Sequence, residues 1–171
     1  MAQGDRFVPL DYQAVKSLLE TEMGFTQRQP ERTRELCWER RVVTNGEPTP
    51  YAIRVYSTLE PTGECREIGS DAIRVCLVDQ EDPSRERILE VEKKVLRTKS
   101  AMINLRARAR ELYGYVNTSA HRCPVCGRLM VVRTTKRTVA KPEVRSFFGC
   151  MGFSHEACKH TSNVIPETAR L

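Results

Sequence analysis

Four cysteines, Cys123, Cys126, Cys150 and Cys158, constrain this chain more than any other residues, because a close pair, a long loop and a second pair can converge on one metal ion. The first pair lies in Cys-Pro-Val-Cys-Gly, residues 123–127. There a two-residue gap lets one tight turn aim both sulfurs at a single point, and Gly127 relaxes the backbone behind them. Cys150 and Cys158 supply two further thiolates. Four sulfurs predict one Zn2+ in a closed tetrahedral site with no open position for catalysis, so the expected ion is structural.

With 171 residues, 29% charged and 40% hydrophobic, the chain can bury one modest core and carry a small appended module. It has no run of eighteen apolar residues, which argues against a membrane span, and Met-Ala-Gln-Gly-Asp-Arg at the N-terminus does not read as a signal peptide. An intracellular, reducing setting is expected, in which the cysteines bind metal rather than form disulfides. Cys37 and Cys76 fall in predicted strands and read as small buried hydrophobes.

Charge is divided unevenly. Residues 1–120 hold nineteen basic and nineteen acidic side chains; residues 121–171 hold nine basic against three acidic, which is the whole net charge of +6. A second basic concentration, from Lys93 to Arg110, is opposed only by Glu111. Fixed positive charge of this kind attracts polyanions and releases counterions on binding, so nucleic acid is the expected partner.

The pattern predicts an α+β class. A first helix is expected over 11–23, with Asp11 as N-cap, Val15, Leu18 and Leu19 on one face, and Gly24 as the stop. Strands are expected over 36–44, 51–59 and 71–79, punctuated by Asn45-Gly46, the prolines at 48 and 50, Pro61-Thr62-Gly63 and Gly69-Ser70. Alternation places Ile53, Val55, Ile73, Val75 and Leu77 on a buried face and Arg54, Tyr56 and Arg74 on the other. Residues 88–96 fit a strand or a helix. Residues 99–113 predict a helix with the stripe Met102, Leu105, Ala109 and Leu112, extended by Val116. The organisation expected is an α+β domain over 1–116, with a helix, an antiparallel sheet of at least three strands and a second helix. A linker over 117–122 and a small β zinc ribbon over 123–165 follow.

Two surfaces qualify as phosphate-binding candidates within the first domain. Lys99, Arg106 and Arg110 share one helix face, where their repulsion would be relieved by a bound phosphate. Arg54, Arg74, Tyr56 and Trp38 form a second set if their strands are neighbours, since rings stack bases while arginines contact phosphates.

The segment Cys-Pro-Val-Cys-Gly-Arg-Leu-Met-Val-Val-Arg at 123–133, with Phe-Phe-Gly-Cys at 147–150 and Cys-Lys-His-Thr at 158–161, resembles the four-cysteine zinc fingers at the C-terminus of bacterial type IA DNA topoisomerases. The resemblance covers residues 123–161. It implies a small β-ribbon that binds single-stranded DNA, with the four cysteines on zinc and Arg128, Arg133 and Phe148 as DNA contacts. The chain departs from the family in the longer Cys150–Cys158 spacing, in a loop over 134–146 without glycines, and in lacking Tyr-Pro before the last cysteine. The long spacing leaves His155 or His160 as a substitute ligand.

Between the cysteine pairs, Arg133, Lys136, Arg137, Lys141 and Arg145 face only Glu143 and interrupt short runs of Thr and Val. This predicts an exposed basic hairpin that contacts phosphates without reading sequence. The expectation is a non-enzymatic binder of nucleic acid, DNA rather than RNA and single strands rather than duplex. It would work in replication, recombination or repair, alone or within a larger protein assembly. The enzymatic alternative is a Mg2+-dependent nuclease using Glu92 and Lys94, with Asp71 or Asp79 as the earlier acid. No phosphate-cradling Gly-Lys-Ser/Thr loop and no nucleophile triad are present.

Overall fold

A computed structural model describes residues 12–28, 36–57, 72–81, 87–95, 99–153 and 158–171. Asp11, Asp71 and His155 lie outside the described residues, as do the side chains of Glu92, Lys94, Lys99 and Met102. The chain is α+β and divides into two compact units, residues 1–112 and 113–171. The expected linker over 117–122 therefore belongs to the second unit.

In the first unit, helix α1 (Tyr12–Lys16) widens into a π-helical stretch, Ser17–Glu22. It ends where Gly24 takes a left-handed φ of 68° and the Phe25 N–H donates to the Leu19 carbonyl at 2.8 Å, a glycine-stopped terminus that satisfies an otherwise orphaned carbonyl. The apolar face, Tyr12, Val15, Leu18 and Leu19, is buried. Five antiparallel strands follow in sequential order, β1 (Thr26–Arg28), β2 (Leu36–Thr44), β3 (Glu47–Ser57), β4 (Ala72–Asp79) and β5 (Arg87–Val95). The ambiguous 88–96 stretch is thus a strand, and β1 is one strand more than the sequence pattern announced.

The β2–β3 turn is Asn45-Gly46, with φ of 52° and 83°, the doubly left-handed geometry that matches strand twist in two-residue hairpins. Strand β3 starts at Glu47 rather than after Pro50. Its prolines are tolerated because register pairing with β4 begins at Tyr51, with the Gln80 N–H reaching the Pro50 carbonyl just beyond it, so no described strand needs the N–H that Pro48 and Pro50 lack.

Ile53, Val55, Ile73, Val75 and Leu77 are all buried, as alternation requires. Trp38 lies opposite Val55 and so joins this same face, fully buried, with its indole N–H donating to Glu20 Oε1 at 3.1 Å. The opposite face is not an open basic platform. Cys37, Ala52, Tyr56, Cys76 and Val78 form a buried cluster there. Arg54, half-buried, is paired with Glu39, which also takes Arg28 and the Gln80 amide, and the Arg74 guanidinium sits 5.0 Å above the Tyr56 ring.

Helix α2 (Lys99–Asn117) runs one turn further than expected. Leu105, Ala109, Leu112 and Val116 are buried and Arg110 is exposed. Arg106 pairs with Glu22, so the carboxylate of this chain answers one of the helix cations that suggested a phosphate. At its C-terminus the Arg122 guanidinium donates to the Val116 carbonyl at 2.8 Å and the Thr118 hydroxyl to the Gly114 carbonyl at 2.8 Å. These bonds satisfy carbonyls that the last turn leaves open. No described helix is long and apolar enough to cross a membrane.

Candidate metal centre and basic hairpin

The second unit is built on a three-stranded antiparallel ribbon, β6 (Met130–Thr134), β7 (Ser146–Cys150) and β8 (Thr161–Ser162). Ahead of β6, residues 123–128 form the predicted knuckle: the Gly127 N–H donates to the Cys123 carbonyl at 2.8 Å, the Cys123 N–H donates to the Arg128 carbonyl at 2.8 Å, and Gly127 has a φ of 73°. Cys150 closes β7, and its N–H donates to the His160 carbonyl at 3.1 Å. The Cys158 N–H donates to the Gly152 carbonyl at 3.3 Å.

These bonds bring the four sulfurs within 4.8 Å of one another, with Cys126 and Cys150 at 3.3 Å and Cys123 and Cys158 at 3.7 Å. A tetrahedral ion with metal–sulfur bonds of about 2.3 Å sets its sulfurs roughly 3.8 Å apart. A disulfide needs about 2.05 Å. The spacing therefore suits one metal ion held by four thiolates. Cys158 is a member of the cluster and His160 is not.

Burial pushes the Cys150 thiol well above its ordinary range and raises that of Cys126. Cys123 feels the same burial, but the backbone N–H groups of Cys126 and Val125 and contacts with Cys150 and Cys158 outweigh it, holding the thiol at about 7. Thiols this close resist ionising together, and a divalent cation among them removes that resistance. Gly152 completes the pocket: its N–H donates to Cys150 Sγ at 3.2 Å, and a Cβ there would stand 3.1 Å from Cys126 Sγ and 3.3 Å from Cys150 Sγ. The Arg128 stem lies on the same spot, with its Cδ 3.2 Å from that position, so this expected DNA contact packs on the knuckle.

The ribbon is seated on the last turn of α2. The Tyr115 hydroxyl donates to the Met130 carbonyl at 2.6 Å, and burial pushes its pKa up. His121, 1% exposed, stacks on Tyr115 with ring centres 4.0 Å apart and meets Phe148 edge-on. Its Nδ1 lies 2.9 Å from the Tyr115 carbonyl, an acceptor only, so Nδ1 carries the proton and Nε2 accepts from the Thr168 hydroxyl at 3.0 Å. The sequence pattern places His121 in a linker, whereas the fold makes it a buried hub.

Burial lowers the His121 pKa below 6.5, partly opposed by the bond to the Tyr115 carbonyl. The sign follows: the folded form stays neutral where the unfolded chain protonates, so this contribution is full above about pH 6.5 and is lost as pH falls through the folded pKa. The denaturation midpoint of the second unit is expected to drop from pH 7.5 to 5.5 by more in the wild type than in His121→Asn, whose amide donates to the same carbonyl without titrating.

Phe148 is 2% exposed and faces this interior, which overturns its expected role as a DNA contact. Its neighbour Phe147 is half-buried on the other face of the ribbon. The segment between β6 and β7 continues the hairpin: the Thr135 N–H donates to the Arg145 carbonyl, and Thr138 and Lys141 exchange two bonds at 3.1 Å around Val139 and Ala140. Lys136, Arg137, Lys141 and Arg145 are exposed along this arm, and Arg133 is half-buried at its base. Glu143 pairs with Arg145 at 3.0 Å.

The described residues of the nuclease alternative fall on β4 and β5. Register sets Glu92 opposite Val75 and Lys94 opposite Ile73, whereas Asp79 lies roughly 13 Å further along β4, buried, accepting the Glu81 N–H in a turn. No protein-family model, curated protein or solved structure matches the chain.

Proposed function

We propose that this chain is a non-enzymatic nucleic-acid-binding protein whose second unit is a zinc ribbon presenting a basic hairpin to single-stranded DNA. The carrying observation is the placement of charge. Residues 113–171 contain all of the net +6, and the β6–β7 arm lifts Lys136, Arg137 and Lys141 to an exposed tip. Side chains so placed reach a phosphate backbone with little desolvation, giving affinity by counterion release and no base specificity. Zinc is the favoured ion because four thiolates at tetrahedral spacing with no open position suit a closed structural site. The resemblance of 123–161 to the zinc fingers of type IA topoisomerases supports the same reading. A role in DNA replication, recombination or repair, within a larger assembly or alone, fits a module that binds without sequence preference.

The test is fluorescence anisotropy with a short labelled single strand across a salt series. Three tip cations predict a log–log slope of roughly −2. Lys136→Glu with Arg137→Glu should weaken binding at low salt at least tenfold and flatten the slope. Absence of binding at low salt would sink the proposal and leave protein docking as the role of the ribbon. Elemental analysis should find one zinc per chain.

A further inference from the structure

The ribbon has a second face, which the hairpin tip does not use and which borders the cysteine cluster. Phe147 and Gly149 of β7 point to the side opposite Phe148, with Arg133 directly across from Phe147 and Thr161 across from Gly149. Here a cleft of about 250 Å³ is lined by Arg133, Phe147, Gly149, Lys159, His160 and Thr161, with Cys150 and Cys158 also on its wall.

Gly149 sits in a strand interior without a left-handed φ, so the backbone does not demand glycine there. The side chains around it do. A Cβ at 149 would stand 3.1 Å from Arg133 Cδ and 3.1 Å from Phe147 Cε2, closer than such contacts normally run. The missing Cβ lets the arginine stem and the phenyl ring close down on the strand, the arrangement that strand glycines often serve where a ligand approaches. The Arg133 guanidinium is further steadied by donating to Met151 Sδ at 3.3 Å.

The chemistry of the lining is selective. One flat aromatic ring, the apolar stem of an arginine and a glycine floor form a surface for a planar ring. Arg133, Lys159 and His160 bring nitrogen-bearing groups to the same cleft, and among the described residues no acidic side chain lines it. A planar π-system carried on an anionic chain meets both requirements, and base–aromatic stacking beside arginine is the general way proteins hold single strands. The volume falls below that of drug-sized pockets and suits one base. A base inside a duplex is stacked and paired and cannot enter.

We propose that this cleft receives one unpaired nucleobase, stacked on Phe147, while Arg133 and Lys159 contact its flanking phosphates. The proposal rests on the nucleic-acid reading above and adds the site that makes the ribbon prefer single strands. The test compares a short oligothymidylate with an abasic strand of the same length, measured by anisotropy on the full, zinc-loaded chain. Wild type should bind the thymidylate about tenfold more tightly than the abasic strand. Phe147→Ala should erase that difference with the salt slope unchanged, Phe147→Trp should keep it, and Lys136→Glu with Arg137→Glu should weaken both strands alike. One zinc per chain in each variant shows that the ribbon is folded. If wild type binds both strands equally, or Phe147→Ala keeps the preference, the cleft proposal is overturned and the nucleic-acid reading stands. If neither strand binds at low salt, both are overturned.

Discussion

Stripping the metal, or replacing Cys150 by serine, is expected to unfold residues 113–171 while the sheet of the first unit survives. The second unit is small. Among the described residues its buried apolar side chains are few, chiefly Tyr115, Val116, Leu129, Met130, Val131, Phe148 and Met151. A core of that size is marginal alone, and small domains ordinarily need a metal or disulfides to fold. A four-thiolate zinc site supplies about 10–16 kcal/mol at pH 7 in zinc-finger peptides, more than the whole stability of many domains. Cys150 is the most telling ligand to remove, because its sulfur also accepts the Gly152 N–H and its backbone ties β7 to His160. The measurement is amide NMR with and without a strong chelator. Signals of the ribbon and of the last turn of α2 should collapse to the random-coil region, while the Trp38 indole signal keeps its folded shift. Retention of dispersed ribbon signals after metal loss would show that the thiolates do not hold the unit.

The cysteine quartet and the buried alternation of Ile53, Val55, Ile73, Val75 and Leu77 were legible from the chain because each depends on local spacing. What was not legible depends on partners brought from elsewhere. Alternation says which residues share a face of a sheet but not which faces are covered, so Tyr56 was expected on an open surface and is buried. Phe147 and Phe148 are adjacent and equally aromatic. Their parity was decided by Tyr115 and His121, which seat Phe148 inward and leave Phe147 on the cleft. The signal available in the sequence was Gly149, a glycine in a strand, which marks the face of Phe147. Pro48 and Pro50 misplaced the start of β3 because their cost depends on whether a neighbouring strand needs their missing N–H, and at 47–50 no described strand pairs on that side.

Trp38→Ala is expected to cost the first unit about 3–5 kcal/mol, the usual range for deleting a large buried aromatic. The indole is fully buried, its ring centre lies 6.2 Å from that of Tyr12, and its backbone stands between Gln27 of β1 and Val55 of β3. It therefore joins the helix layer to the sheet. Truncation leaves a cavity and also removes the donor to Glu20, a bond to a charged acceptor worth about 1.5–3 kcal/mol. Trp38→Phe separates the two contributions, since it keeps most of the apolar volume and loses the N–H. It should cost about half as much as the alanine. Against a typical total of about 5–15 kcal/mol, the alanine variant stands close to unfolding, with urea melts followed by far-UV circular dichroism as the readout. Metal content should stay at one ion per chain, because the four cysteines belong to a unit with its own core. A variant that keeps its urea midpoint would mean that Tyr12, Leu18 and Leu19 pack on the sheet without the indole, and that the burial of Trp38 contributes little to joining the layers.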